Sequence, residues 1–163
     1  MVLLGVDPGF RYAGFGIIRK ELQRTVVADY GYLRLPQTKT LIERTGMFHA
    51  FFEEKIKVYN VTHLSLETPF LGKNSQSFLK LGYLRGILYL LAHTHALEVH
   101  EFAPRQVKQA VTGFGGASKE QVATVIGRLF PKLSEQCKHD VTDALAITLC
   151  GMWAVKQHPM QGR

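Results

Sequence analysis

Asp7, Glu67, Asp140 and Asp143 are the residues of this 163-residue chain whose placement invites chemistry. Asp7 closes the unbroken apolar run Val2 to Val6 and is followed by Pro8 and Gly9, which end a strand and permit a turn. Glu67 closes a second run that begins at Val61, and Pro69 prevents its extension. Asp140 and Asp143 stand at i and i+3 and so share one side of a helical first turn. Each has an everyday explanation, since Asp-Pro-Gly makes turns and acidic first turns complement the helix dipole. Gathered at one locus, however, four carboxylates repel one another unless cations lie between them. Their all-oxygen donor set suits Mg²⁺ or Mn²⁺, with positions left for water and a phosphate. A pair of such ions would activate water and stabilise the leaving oxygen of a phosphodiester.

The overall charge favours the same kind of substrate. Twenty Lys and Arg against 13 Asp and Glu give a formal charge of +7, which draws a polyanion such as nucleic acid. Other metal chemistry is not expected. Cys137 and His139 lack a second pair at zinc spacing, and Cys137 and Cys150 form neither a Cys-x-x-Cys nor an expected disulfide. His139 precedes Asp140, but one step along a helix turns a side chain by about 100°, which gives it a supporting or surface role. His63, His93, His95 and His100 show no ligand-like grouping in the sequence and are taken as ordinary. The N-terminal apolar run is too short for a membrane span and has neither a basic flank nor a cleavage site, so a cytoplasmic protein is expected.

The elements that must position the carboxylates follow from periodicity and capping. Val2–Asp7 is expected to be a central strand covered on both faces. Residues 14–19 and 25–34 are expected to complete an antiparallel meander with it, with glycines marking a bulge or a close backbone approach. Thr40 and Glu43 have the form of a capping box, and an apolar stripe continues from Leu41 through Phe48, Phe52 and Ile56 to Tyr59. Residues 61–67 and 96–102 are expected to be strands, separated by a helix from about Ser77 to His95 that is apolar on more than one face. Pro104 opens a short helix to Thr112, Ser118 with Gln121 caps another that ends near Pro131, and a last helix runs from about His139 through Val155. The result is an α/β chain with a mixed β-sheet, antiparallel meander plus parallel strands, flanked by α-helices. It is expected to form one domain over residues 1–156, with 157–163 as a frayed tail.

Several segments, in order, resemble the RuvC family of bacterial Holliday junction resolvases, which belong to the RNase H-like superfamily. They are Gly5-Val6-Asp7-Pro8-Gly9 with Gly14-Phe15-Gly16, Glu67-Thr68-Pro69-Phe70 leading into Lys73-Asn74-Ser75-Gln76-Ser77, and Leu81-Gly82 with Arg85-Gly86. Arg105-Gln106-Val107-Lys108, residues 113–122 and Asp140-Val141-Thr142-Asp143-Ala144-Leu145-Ala146 complete the match. The resemblance implies a homodimer that makes paired symmetric nicks in a four-way DNA junction, leaving 5′-phosphate and 3′-hydroxyl ends, in recombination and repair. It also implies a branch-migration motor complex as partner.

By position, Asp7, Glu67, Asp140 and Asp143 match the family's metal-binding catalytic carboxylates, with Asp7 as the bridging ligand and Mg²⁺, two per subunit, as the cofactor that Mn²⁺ can replace. Lys119 matches a family lysine that contacts DNA and supports catalysis. Phe70 matches an aromatic that stacks on an unpaired base at the junction centre, while Lys73, Asn74, Arg105 and Lys108 match positions along the DNA path. The Thr68-Pro69 pair departs from the family pattern and bears on how Phe70 is presented. The competing readings are another nuclease of this fold that processes RNA precursors, and a catalytically silent junction-binding protein.

Overall fold

A computed structural model describes residues 1–22, 24–69, 75–131, 133 and 139–157, with only the backbone described at 139, 140, 156 and 157. Five strands, β1 (Val2–Asp7), β2 (Tyr12–Glu21), β3 (Arg24–Arg34), β4 (His63–Glu67) and β5 (Glu98–Phe102), form one sheet in the order β3-β2-β1-β4-β5. The β1–β2 and β2–β3 pairs are antiparallel, and β1–β4 and β4–β5 are parallel. The expected meander is therefore present, and β1 occupies the middle of the sheet. A register irregularity falls between Ile17 and Ile18 in β2.

Because β1 is covered on both faces, its side chains alternate between two cores. Val2, Leu4 and Val6 pack with Phe48, Phe52 and Ile56 of α1 (Leu41–Tyr59) and with Leu84, Leu88 and Leu91 of α2 (Ser75–Thr94). Leu3 points the other way, into a core with α3 (Pro104–Thr112), α4 (Lys119–Leu129) and α5 (His139–Gln157). Asp7 and Gly5 share the parity of Leu3, so both belong to the α5 side. Both capping boxes form: Thr40 accepts from Glu43 N–H and Ser118 from Gln121 N–H, while each acceptor's partner side chain reaches back to the cap's own backbone N–H. Leu41 differs from the expected stripe in being exposed, because it lies at the first turn, beyond the edge of the core. The last helix reaches Gln157, and residues 158–163 lie outside the described part.

The helix α5 lies unusually close to the sheet. A Cβ on Gly5 would stand 2.1 Å from Thr148 Oγ1, 2.7 Å from Thr148 N and 2.8 Å from Ala144 O. One on Gly16 would stand 2.6 Å from Leu145 Cδ2, and one on Gly151 would stand 1.9 Å from Ser65 Oγ. Thr148 Oγ1 also lies within hydrogen-bond distance of the Gly16 and Ala144 carbonyls. The hydroxyl thus ties the helix to the strand that its side chain crosses.

Gly5→Ala should therefore destabilise the protein by about 3 kcal/mol or more, since two of the clashing atoms are backbone. Gly46→Ala, in α1 with nothing within 4 Å, should instead stabilise by about 0.5–1 kcal/mol. Urea unfolding of both variants tests the pair, and similar effects at the two positions would contradict the packing account.

Candidate functional site

The parallel register of β1 and β4 assembles the first two carboxylates. Val6 is paired with Leu66, so Asp7 and Glu67 are the next residues on neighbouring strands, both directed to the α5 side. Adjacent strands lie about 4.8 Å apart, which brings the two side chains together at the strand ends. Helix α5 then presents Asp143. Asp7, Glu67 and Asp143 line one pocket of about 250 Å³, together with Pro104, Val107 and Lys108 of α3, Lys119 and Val122 of α4, and Ala146 of α5.

Charge in this pocket is lopsided and partly buried. Burial, followed by the negative charge of Asp143, holds the Glu67 carboxyl above its ordinary range, opposed by Lys119, Lys108 and Arg85. Lys119 Nζ donates to Asp143 Oδ2 at 2.9 Å. That hydrogen bond and the charge of Asp143 raise the Lys119 pKa, so the ammonium stays protonated. Three oxygen-donor side chains on one polar, solvent-open pocket, one of them reluctant to ionise alone, fit a hard divalent cation.

The expected site residues divide by position. Lys119 and Lys108 reach the pocket, whereas Arg105 is exposed one turn earlier on α3 and packs its stem near Gly115. The backbone of Asp140 lies in α5, three residues before Asp143, and its side chain and that of His139 are outside the described part. Phe70, Lys73, Asn74 and Cys137 also lie outside the described residues.

One contributor carried no role in the sequence. Arg85, only 5% exposed in the midst of apolar α2, donates from Nη1 to the Glu67 backbone carbonyl and from Nη2 to Glu101 Oε1 and to Tyr89 Oη. It anchors the end of β4 to a helix on the opposite face. Its sequence signals were a place in the Arg85-Gly86 segment of the family resemblance and a cation amid leucines, which pairing alone makes tolerable in a core. A second set of residues corrects an expectation: His63 and His100, taken as ordinary, converge with Glu98 across β4 and β5. They lie on adjacent strands, and period-two alternation places them on one face although 37 positions separate them in sequence.

A mixed sheet with helices on both faces and an acidic pocket at the ends of its central parallel strands defines the RNase H-like class. The chain belongs to the RuvC family: the family model described as crossover junction endodeoxyribonuclease RuvC matches residues 3–151. It is 43% identical to the crossover junction endodeoxyribonuclease RuvC of Chlorobium phaeobacteroides, over 99% of this chain and 89% of that protein. It is 46% identical to the one from Pelodictyon phaeoclathratiforme, over 93% of this chain and 80% of that protein. Among solved structures, Thermus thermophilus RuvC in complex with Holliday junction substrate superposes with a TM-score of 0.88 at 26% identity, covering 96% of both chains. The yeast mitochondrial Holliday junction resolvase Ydc2, at 12% identity and a TM-score of 0.65, shares the fold.

Glu67 provides a test of the electrostatics. An acid whose pKa is higher folded than unfolded favours folding below the unfolded pKa, and that contribution is lost as pH rises through the folded value. At neutral pH and without divalent ions, charged Glu67 is therefore a liability. Glu67→Gln should raise the melting temperature in chelator by about 1–3 °C at pH 7 and lose that advantage below the carboxylate range. A variant less stable than wild type at pH 7 would contradict this account.

Proposed function

We propose that this protein is a Holliday junction resolvase, a single-domain endodeoxyribonuclease that nicks opposed strands of a four-way DNA junction in recombination and repair. The observation that carries this reading is the gathering of Asp7, Glu67 and Asp143 with Lys108 and Lys119 in one pocket of a RuvC-family chain. Membership of a family named for this activity supports the substrate. The net charge of +7 suits DNA. Among the described residues, no helix is long and apolar enough to cross a membrane. Work on DNA is what assigns the protein to the cytoplasm in this reading.

Asp7, Glu67, Asp140 and Asp143 would hold Mg²⁺, two per subunit, with Mn²⁺ able to replace it. Such ions, when bound, supply activated water and neutralise charge at the leaving oxygen. The protein's own groups then have separate tasks. Lys119, protonated and with its side chain 68% exposed, can turn from Asp143 to a phosphate and offset the charge that grows there. Lys108, on the same pocket wall, fixes the DNA backbone, and exposed Arg105 extends that basic path. Arg85 holds the Glu67 backbone, which keeps one carboxylate aligned beside Asp7.

Phe70, following β4 after two residues, would stack on an unpaired base, with Lys73 and Asn74 tracking the phosphates beyond it. Exposed Leu79, Tyr83 and Leu90 on α2 give an apolar face on which a second copy would pack, and a two-fold enzyme suits a two-fold junction. A branch-migration motor complex would deliver the junction.

Cleavage of a labelled immobile four-way junction tests the reading. Wild type should give paired symmetric nicks that require Mg²⁺. Asp7→Asn should lose more than about 100-fold in rate while junction binding persists, and Lys119→Ala should lose about 100-fold. Junction binding without nicks would move the chain to the silent binder. Preference for RNA ends would move it to the precursor-processing nucleases.

A further inference from the structure

The histidine–carboxylate group on β4 and β5 lies apart from the acidic pocket. His63 opens β4 and Glu67 closes it, about 13 Å apart along the strand, while His100 pairs with Ser65, about 7 Å short of the Glu67 level. Their ligand atoms are of different character as well, two imidazoles and one carboxylate against a set of carboxylates. One donor atom from each of His63, Glu98 and His100 can be chosen so that all lie within 4.8 Å of one another.

The detailed geometry points inward. Glu98 stands between the rings, with Oε2 3.5 Å from His63 Nε2 and Oε1 3.4 Å from His100 Nε2. Donors around a tetrahedral ion with bonds of roughly 2.0–2.2 Å lie about 3.4 Å apart; each ring nitrogen stands near that distance from a different Glu98 oxygen, so the carboxylate must turn for one oxygen to serve both. The rings are stacked, 5.6 Å between centroids and 9° from parallel, so they must rotate out of the stack for both nitrogens to meet at a common point. The Glu98 side chain is 66% exposed and free to adjust. Among the described residues His100 Nε2 is buried without a hydrogen-bond partner, the nearby carboxylate notwithstanding. A buried orphan of that kind calls for an explanation.

The outer contacts also suit ligation. His63 Nδ1 lies 2.7 Å from Thr62 Oγ1, and that hydroxyl is in turn within 3.0 Å of the Val2 carbonyl oxygen. In the tautomer in which Nδ1 donates to the hydroxyl, the hydroxyl donates to Val2 and the Nε2 lone pair faces Glu98; this is the tautomer that a metal at Nε2 requires. Ligating histidines are ordinarily fixed in this manner through the second ring nitrogen. Two acceptors facing each other at 3.5 Å repel unless a cation or a proton joins them. Burial lowers the affinity of His63 for a proton, partly offset by Glu98, which favours the neutral ring that a metal requires.

We propose that His63, Glu98 and His100 bind one borderline divalent transition-metal ion, Zn²⁺ or its close relatives, with water completing the shell, and so clip edge strand β5 to β4. Mixed imidazole and carboxylate donors select such ions over Mg²⁺. Because β5 has, among the described residues, a neighbour on one side only, the clip secures an edge strand, and it binds the folded chain but not the unfolded one.

Zn²⁺ titration of the tag-free full chain in millimolar Mg²⁺, which fills the acidic pocket, tests the site. One Zn²⁺ per chain should bind, with equal affinity in Asp7→Asn, and the affinity should fall at least about 100-fold in His63→Asn and His100→Asn. Wild type should melt about 5 °C higher with saturating Zn²⁺, and His100→Asn should not. Glu98→Gln changes an exposed side chain, so it should fold normally, keep its Mg²⁺-dependent junction cleavage and bind Zn²⁺ more weakly. Binding that survives His100→Asn or Glu98→Gln unchanged, or that vanishes in Asp7→Asn, would overturn the proposal. So would the absence of stoichiometric binding, leaving Glu98 only an ion-pair partner of the two rings.

Discussion

The close seat of α5 on the sheet is the constraint from which the rest of the structure follows. Gly5, Gly16 and Gly151 are small because Thr148, Leu145 and Ser65 occupy the space where their side chains would be. Without that approach Asp143 would stand farther from the strand that carries Asp7, and the pocket would open into a groove. The fold thus spends conformational freedom at three glycines to fix a helix–sheet distance, and that distance sets the separation of the carboxylates. Thr148 adds direction by bonding within its own helix and toward β2.

The same pocket opposes stability and function. Glu67 is held in a partly buried place beside another acid, an arrangement that favours its neutral form. Lys119 relieves the repulsion by pairing with Asp143, and Arg85 relieves it from behind through the Glu67 carbonyl and its own charge. These cations make the ion-free pocket tolerable while leaving it acidic enough to attract divalent ions. Both are held by carboxylates, Lys119 by one inside the pocket and Arg85 by Glu101 outside it. Lys119 can therefore exchange its partner for a phosphate, whereas Arg85 is locked.

Much of this was legible in the sequence because local chemistry and tertiary demand agreed. The run Val2 to Val6 could only be a strand covered twice, and Pro8 marked its end beside Asp7. The caps at Thr40 and Ser118 and the proline at the start of α3 located three helices to within a residue or two. Features set by register or packing were not legible. Nothing local says that Val6 pairs with Leu66, yet that pairing puts Asp7 beside Glu67. Arg85 was noted only within a segment resembling the family, and its role was hidden because its partners, Glu101 and the Glu67 carbonyl, come from other elements. His63 and His100 looked solitary for the same reason. Strand pairing, which sequence spacing does not encode, brought them to one carboxylate.

The contact of Thr148 with Gly16 joins positions 132 residues apart, and Asp7 and Asp143 belong to the same two ends of the chain. During synthesis the first strands emerge early and the last described helix emerges late. The meander and α1 can associate while the ribosome is still working, but the α5 face of β1 stays uncovered until the final helix is free. A nascent chain therefore carries Asp7 and Glu67 before Asp143 joins them in the pocket. The carboxylate pocket is in this way left open until α5 has been made and has docked on the sheet.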